Sequence, residues 1–314
     1  MIPNSVPVTA VRYAGLELCL REFRMAMFTR WYLRRVSEAF FVLNSDGILA
    51  ILCYYEPGIC LEGVRMMKVI FHEAFYSVYA ADPAASAGRM EAVMDAMEPE
   101  AEIISAVPAP EEDILAVHTR SHIDGVKAQG VYETAALAAG GALMAGEIGL
   151  SEPCFAAIRP PGHHASADSA WGFCYFNNMA VAISHLKRTG KIRTAYVLDI
   201  DLHFGDGTVN ILGGDRDVTV YNVSAPTREA YLREVKQEME ACRSDIIGIS
   251  AGFDNHEEDW GGTLKTEDYR EIGLMVRRCA ARSGGGCFAL LEGGYNHQVL
   301  GRNAAALLEG LSGD

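Results

Sequence analysis

No Cys-x-x-Cys pair occurs in this chain, although it has eight cysteines. Cys19, Cys53, Cys60, Cys154, Cys174, Cys242, Cys279 and Cys287 are scattered, several of them within apolar runs. They read as small buried hydrophobes of a reducing, cytoplasmic compartment and not as a disulfide frame. No Gly-x-Gly-x-x-Gly or Gly-x4-Gly-Lys-Ser/Thr follows an apolar run, which argues against a nicotinamide or nucleotide enzyme. His72-Glu73 lacks the second histidine of a His-Glu-x-x-His helix. No segment has a signal peptide's charged start and small-residue cleavage site. The apolar run at 48–55 is too short to span a bilayer, so no membrane association is expected. Positive charge is scarce: 27 Lys and Arg stand against 41 Asp and Glu, a formal net charge of −14. That argues against direct, non-specific nucleic-acid binding and weakly favours cationic small molecules or basic peptides as partners.

The chain has 314 residues, half of them hydrophobic, enough for one large α/β domain or two smaller ones. Residues 1–66 differ from the rest, with seven arginines, no lysine and no regular alternation of strand and helix patterns. The compact domain is expected to begin near Met67, where Met-Lys-Val-Ile-Phe reads as a first strand, and to run to residue 314. The first 66 residues are then an extension with helices around 16–36, or an upstream region translated from a mis-assigned start. Strands are expected at 68–71, 154–158, 194–199, 218–223, 246–250 and 287–291. Helical patterns cover 132–148, 177–188, 266–283 and 302–311. Continuous apolar strands alternating with helices predict a predominantly parallel central sheet with helices on both faces. Oligomeric state is not legible.

Four strand ends carry polar clusters, where chemistry gathers in such folds. The most informative is Asp199-Ile-Asp201-Leu-His203, followed by Phe204-Gly205-Asp206-Gly207. Alternation would set Asp199, Asp201 and His203 on one side of an extended chain. Two carboxylates and an imidazole together suit a borderline divalent cation, zinc or ferrous iron. Arg159-Pro-Pro-Gly162-His163-His164 presents two adjacent imidazoles, suited to moving a proton between neighbours. Ser250-Ala-Gly-Phe-Asp254 ends a strand in a carboxylate. Glu292-Gly-Gly-Tyr295-Asn296 puts a tyrosine after two glycines.

Together with Gly172-Phe173-Cys-Tyr-Phe-Asn-Asn178 and Val117-His-Thr119, these motifs resemble the histone deacetylase superfamily. That group includes acetylpolyamine amidohydrolases and acetoin-utilisation proteins, on an arginase-like α/β fold. The resemblance runs from about Met67 to the end of the chain. It implies Asp201, His203 and Asp254 as ligands of a catalytic metal, with open positions for water and substrate. It implies His163 and His164 as proton-transfer residues, oriented by Asp199 and Asp206. It implies Tyr295 as donor to the developing oxyanion, Phe173 and Gly172 as channel residues, and Gly162 as a point of close backbone approach. Similar proteins also hold a structural monovalent cation such as potassium, which backbone carbonyls near 199–203 could bind.

The implied activity is metal-dependent hydrolysis of an acetyl or related acyl amide of a lysine side chain or polyamine. A non-catalytic acyl-ligand-binding protein on the same scaffold, and an arginase-like ureohydrolase with two manganese ions, are the alternatives. Two stretches depart from the family. Residues 224–232 lack the aromatic, glycine-rich loop that many members use as a second channel wall, with Tyr231 as the candidate substitute. Residues 255–262 lack the usual Asp-Pro-Leu-Gly form, and the position that aligns with the acidic gatekeeper of acetylpolyamine specialists falls near Gly261, so that device is expected to be absent. His256 reads as a loop residue and not as a fourth ligand.

Overall fold

The apolar runs form strands buried on both faces, and their order in the sheet decides where the motifs meet. A computed structural model describes residues 39–43, 49–53, 66–98 and 101–313. The chain divides into two compact units, Met1–Arg65 and Met66–Asp314. In the first, strands β1 (Ala39–Leu43) and β2 (Leu49–Cys53) pair antiparallel, with Phe41 opposite Ile51. The helices expected around 16–36 lie outside the described residues.

The second unit contains β3 (Met67–Phe71), β4 (Ala101–Ser105), β5 (Cys154–Ala156), β6 (Ala195–Asp199), β7 (Val218–Asn222), β8 (Ile246–Ala251) and β9 (Gly286–Leu291). They form one seven-stranded sheet in the order β4-β3-β5-β9-β8-β6-β7, every neighbouring pair parallel. Every residue of β5, β6 and β8 is buried, as a sheet covered on both sides requires. The edge strand β4 was not anticipated. Its Ala-Glu-Ile-Ile-Ser buries only Ala101, so it carries no continuous apolar signal. The strand expected at 154–158 narrows to β5, although Ala157 N still donates to Ile70 O at 2.9 Å.

The described helices are α1 (Arg89–Met97), α2 (Glu111–Leu115), α3 (Arg120–Ala128), α4 (Tyr132–Gly149), α5 (Asn178–Arg188), α6 (Asp206–Leu212), α7 (Arg228–Ala241), α8 (Thr266–Ser283) and α9 (His297–Ser312). Helix α4 is apolar around most of its circumference because it packs on β3, β5, β9 and α5 at once. Asn177 caps α5 by accepting from Ala180 N. Helix α9 starts earlier than its apolar pattern suggests, because Asn296 caps it by accepting from Gln298 N. Helices α7, α8, α9 and α1 pack in one group and α2 to α6 in another. No helix among the described residues is long and apolar enough to cross a membrane.

Strands β5, β9, β8 and β6 are neighbours in the sheet. Being parallel, they deliver their four following loops to the same edge, and those loops carry the tandem histidines, Tyr295, Asp254 and Asp201-Leu-His203.

Close packing of α4 gives a stability test. A Cβ at Gly140 would lie 1.8 Å from Val107 O and 2.5 Å from Ala109 N. Alanine normally stabilises a helix over glycine by roughly 1 kcal/mol. Here Gly140→Ala should instead lower the unfolding free energy by about 1–3 kcal/mol. Urea denaturation with an unchanged m value checks this, and an increase in stability would contradict the packing.

Candidate metal centre and active site

Asp199 is the last residue of β6 and pairs with Ser250 of β8. Beyond it the chain does not stay extended. Asp199 Oδ1 accepts from Asp201 N at 3.1 Å, and Asp201 Oδ1 accepts from His203 N at 2.9 Å. Each aspartate thus closes a turn onto the backbone two residues on. The one-sided alternation expected of Asp199, Asp201 and His203 is therefore replaced by two turns, which separate Asp199 from the other two. Asp254, just after β8, locks the second turn by accepting from Leu202 N at 3.0 Å. Asp201 Oδ2 in turn accepts from Gly293 N at 2.8 Å, from the loop after β9.

These bonds bring Asp201, His203 and Asp254 together, with one donor atom from each within 4.8 Å of the others. His203 Nδ1 lies 3.1 Å from Asp201 Oδ1 and 3.0 Å from Asp254 Oδ2. The second contact has ion-pair distance but no hydrogen-bond geometry, which leaves buried Asp254 Oδ2 unpartnered. Gly293 leaves room for the group, since a Cβ there would fall 2.5 Å from Asp201 Oδ2 and 2.9 Å from Asp254 Oδ2. Two buried carboxylates, one with a free oxygen, and a half-exposed imidazole fit a divalent cation with coordination positions open to solvent.

The electrostatics follow from the crowding. Burial and then the charge of Asp201 push Asp254 up to about 7. The hydrogen bond to Asp201 and the adjacent Asp254 carboxylate hold His203 up to about 10, against its partial burial. Burial would raise Asp201, but His163 and His203 outweigh it and keep the carboxyl ionised.

The tandem histidines sit after β5, both buried, with ring centroids 4.0 Å apart. His163 Nδ1 lies 3.1 Å from Asp199 Oδ2, and His164 Nδ1 lies 2.8 Å from Asp206 Oδ1. An ionised carboxylate can only accept, so each Nδ1 carries hydrogen and each Nε2 is left for the site. Their proton affinities diverge. Burial opposes protonation of His163, yet Asp201 and Asp199 raise it well above the usual imidazole value. Burial and the neighbouring His163 lower His164 to about 4. Glu292 supports the pair from beneath, its Oε2 accepting from Gly162 N at 2.6 Å and His163 N at 3.2 Å. Burial raises Glu292 to about 7.

Tyr295 follows β9. Asp259 Oδ2 accepts from Tyr295 N and Asn296 N, both at 2.8 Å. Arg89 donates from Nε to Gly294 O at 2.9 Å and from Nη2 to Glu292 O at 2.6 Å. Burial, and then Asp201 and Asp254, raise the Tyr295 phenol, so it stays a neutral donor. The Phe173 ring meets the Tyr295 ring edge-on at 5.9 Å. Phe173 has φ +67° and Gly172 φ +58°, and a Cβ at Gly172 would strike His164 Cδ2 at 2.3 Å.

Every sequence-predicted site residue lies in this cluster, with Asp199 and Asp206 behind the histidines. Two side readings resolve. Tyr231 does not form a channel wall, because it is buried in α7 and its hydroxyl donates to Ile200 O at 3.0 Å. His256 is a loop residue whose Nδ1 accepts from Glu258 N at 3.1 Å. Arg89, Asp259, Trp171 and Trp260 escaped the sequence reading. Arg89 is 205 residues from Gly294, and no local pattern marks such a partner. Trp171 lies over the His164 ring at 3.8 Å and donates from Nε1 to Asp206 Oδ2 at 2.9 Å. Trp260 stacks on Tyr295 at 4.0 Å.

Comparison with known proteins agrees with this geometry. The family model of the histone deacetylase domain matches residues 84–231 and 224–311. A probable deacetylase of Methanothermobacter thermautotrophicus is 30% identical over 305 residues, covering 78% of this chain and 91% of that protein. A histone deacetylase-like amidohydrolase of Pseudomonas aeruginosa is 30% identical over 267 residues, 67% of this chain and 70% of that one. The crystal structure of the HDA15 HD domain superposes with a TM-score of 0.70 at 23% identity, covering 79% of this chain and 90% of that chain, a likeness of fold. By its motifs, its sheet and these matches, the chain belongs to the histone deacetylase family.

Proposed function

We propose that this protein is a metal-dependent amidohydrolase that removes an acetyl or related acyl group from a lysine side chain or a polyamine. The observation that carries the reading is the meeting, at one sheet edge, of a mixed Asp/His donor group with two histidines of opposed proton affinity. Relatives include a histone deacetylase-like amidohydrolase and an acetylpolyamine amidohydrolase, both of Pseudomonas aeruginosa, which supports the substrate class.

Asp201, His203 and Asp254 would hold the metal, zinc or ferrous iron. When bound, it would supply a Lewis acid that polarises the amide carbonyl and acidifies water. The residues of the chain divide the remaining work. His164, neutral at pH 7, takes the proton of the attacking water through Nε2, while Asp206 holds its Nδ1 hydrogen. Tyr295 donates its hydroxyl to the carbonyl oxygen as that oxygen gains charge. A protonated histidine of the pair then gives its proton to the departing nitrogen, because an amide anion is too basic to leave. The products are a carboxylate and a free amine. The donor set describes a mononuclear site, which distinguishes this reading from a two-manganese ureohydrolase.

Metal-loaded wild type should release amine from an acetyl-lysine peptide or an acetylated polyamine, and His164→Ala should abolish the release. Stoichiometric metal binding with no release from either substrate would sink the reading in favour of an acyl-binding protein. Tyr295→Phe should lower kcat about 10²–10³-fold with KM little changed; steady-state kinetics with full retained activity would remove the oxyanion role.

Metal uptake should be proton-linked. His203, with a pKa of about 10, is protonated at pH 7 and must lose that proton to ligate, and Asp254, at about 7, adds a second below neutrality. Affinity of chelator-treated protein for one Zn²⁺ should therefore rise roughly tenfold per pH unit for each proton released. Calorimetry in buffers of different ionisation enthalpy reads this directly. A pH-independent affinity, or two ions per chain, would contradict the site as drawn.

A further inference from the structure

Each tandem histidine is held by a carboxylate, but the two carboxylates are held differently. His163 Nδ1 meets Asp199 Oδ2, and the other oxygen of Asp199 accepts from Asp201 N. The Asp199 side chain is only 1% exposed. A buried carboxylate engaged at both oxygens cannot turn about its Cβ–Cγ bond without losing a partner. His164 Nδ1 meets Asp206 Oδ1, but the Asp206 side chain is 36% exposed, so burial does not hold it. Gly207 N faces the same carboxylate, yet it is the next residue and ties Asp206 only to its own helix.

The second oxygen of Asp206 is engaged by Trp171, whose Nε1 donates to Oδ2 at 2.9 Å. Trp171 belongs to the loop after β5, the loop that carries His164. Its indole also lies over the His164 ring, with centroids 3.8 Å apart and 31° between the planes. One side chain thus touches both members of the pair.

The local chain puts it there. Ser166 N donates to Ser169 O at 2.8 Å, and Ser166 Oγ accepts from Asn210 Nδ2 at 2.9 Å, which docks this loop on the helix that begins with Asp206. Cys174 N donates to Trp171 O at 3.0 Å, closing a turn whose central residues, Gly172 and Phe173, both have positive φ. Among the described residues Phe173 is the one non-glycine residue with positive φ, a conformation that L side chains rarely adopt. Trp171 itself is 55% exposed and adds little to the core. Its N–H and its ring are both spent on one histidine–carboxylate pair.

We infer that Trp171 is a positioning residue, which holds Asp206 and His164 together so that His164 Nε2 stays aimed into the metal site. The inference rests on the amidohydrolase reading above, in which His164 takes the proton of the attacking water.

The test uses full-length, zinc-loaded enzyme and an acetyl-lysine peptide. Trp171→Phe keeps a ring over His164 and removes the N–H. It should lower kcat about 3–10-fold with KM within about twofold, as expected for the loss of one partly solvated hydrogen bond to a charged group. Trp171→Ala, which removes the ring as well, should lower kcat further. Because Trp171 acts through Asp206, Trp171→Phe should change kcat no further in an Asp206→Ala background. Losses that multiply in the double variant overturn the inference. So does an unchanged kcat in Trp171→Phe, or a rise in KM alone, the mark of a group that only touches substrate. A readout without turnover separates this from failure of the hydrolase reading. The chain has three tryptophans, Trp31, Trp171 and Trp260, so Trp171→Phe identifies one indole N–H signal by NMR. That proton should be protected from solvent exchange in the wild type, although the ring is exposed, and should lose its protection in Asp206→Ala. Protection lost in Asp206→Ala without amine release from the wild type keeps the Trp171–Asp206 bond and discards the hydrolysis; equal exchange in the two proteins discards the bond and the inference with it.

Discussion

Backbone hydrogen bonds to buried carboxylates hold this site together. Asp201 accepts from His203 N and Gly293 N, Asp254 accepts from Leu202 N, and Asp199 accepts from Asp201 N. A buried carboxylate needs such donors to remain ionised. Two of them, Asp201 with Gly293 N and Asp254 with Leu202 N, also tie one strand's loop to another's. The charge that would hold a cation is thus the same charge that fixes the positions of the loops after β6, β8 and β9. Removing either aspartate would therefore loosen geometry as well as remove a donor atom.

The loops are joined a second time, from behind. Glu292 holds the backbone of Gly162 and His163, linking the loop after β9 to the one after β5. Arg89, buried at the start of α1, binds the carbonyls of Glu292 and Gly294 and thereby steadies the turn that presents Tyr295. Asp259 grips that turn from the other side through Tyr295 N and Asn296 N. These three residues keep the four loops of the site in register. The proximity of Asp199 and Asp206 explains why the tandem histidines differ. His163 faces two carboxylates, Asp199 and Asp201, whereas His164 faces one carboxylate and a neighbouring imidazole.

Much of the architecture was legible because it follows from local chemistry. The apolar runs at 195–199, 246–251 and 286–291 can be buried on both faces only in a covered parallel sheet. The edge strand β4 was not legible, since an edge needs only one buried residue to pair. Alternation misread the stretch after Asp199. The carboxylates bond the backbone two residues on, and such turns defeat a strand pattern while keeping its spacing.

By itself, the sequence determined which chemical groups are present and which strand ends they follow: the paired imidazoles at 163–164, the Asp-x-His at 201–203, the carboxylate at 254 and the tyrosine at 295. Only the tertiary structure decided that β5, β9, β8 and β6 are neighbours, because strand order depends on crossovers that no local pattern encodes. It also decided the parts played by Arg89 and Asp259, and that Tyr231 turns inward while Trp171 and Trp260 stay exposed beside the site. A lone arginine, tryptophan or tyrosine carries no signal of its partner, and contacts across a hundred or more residues exist only once the sheet has brought the loops together.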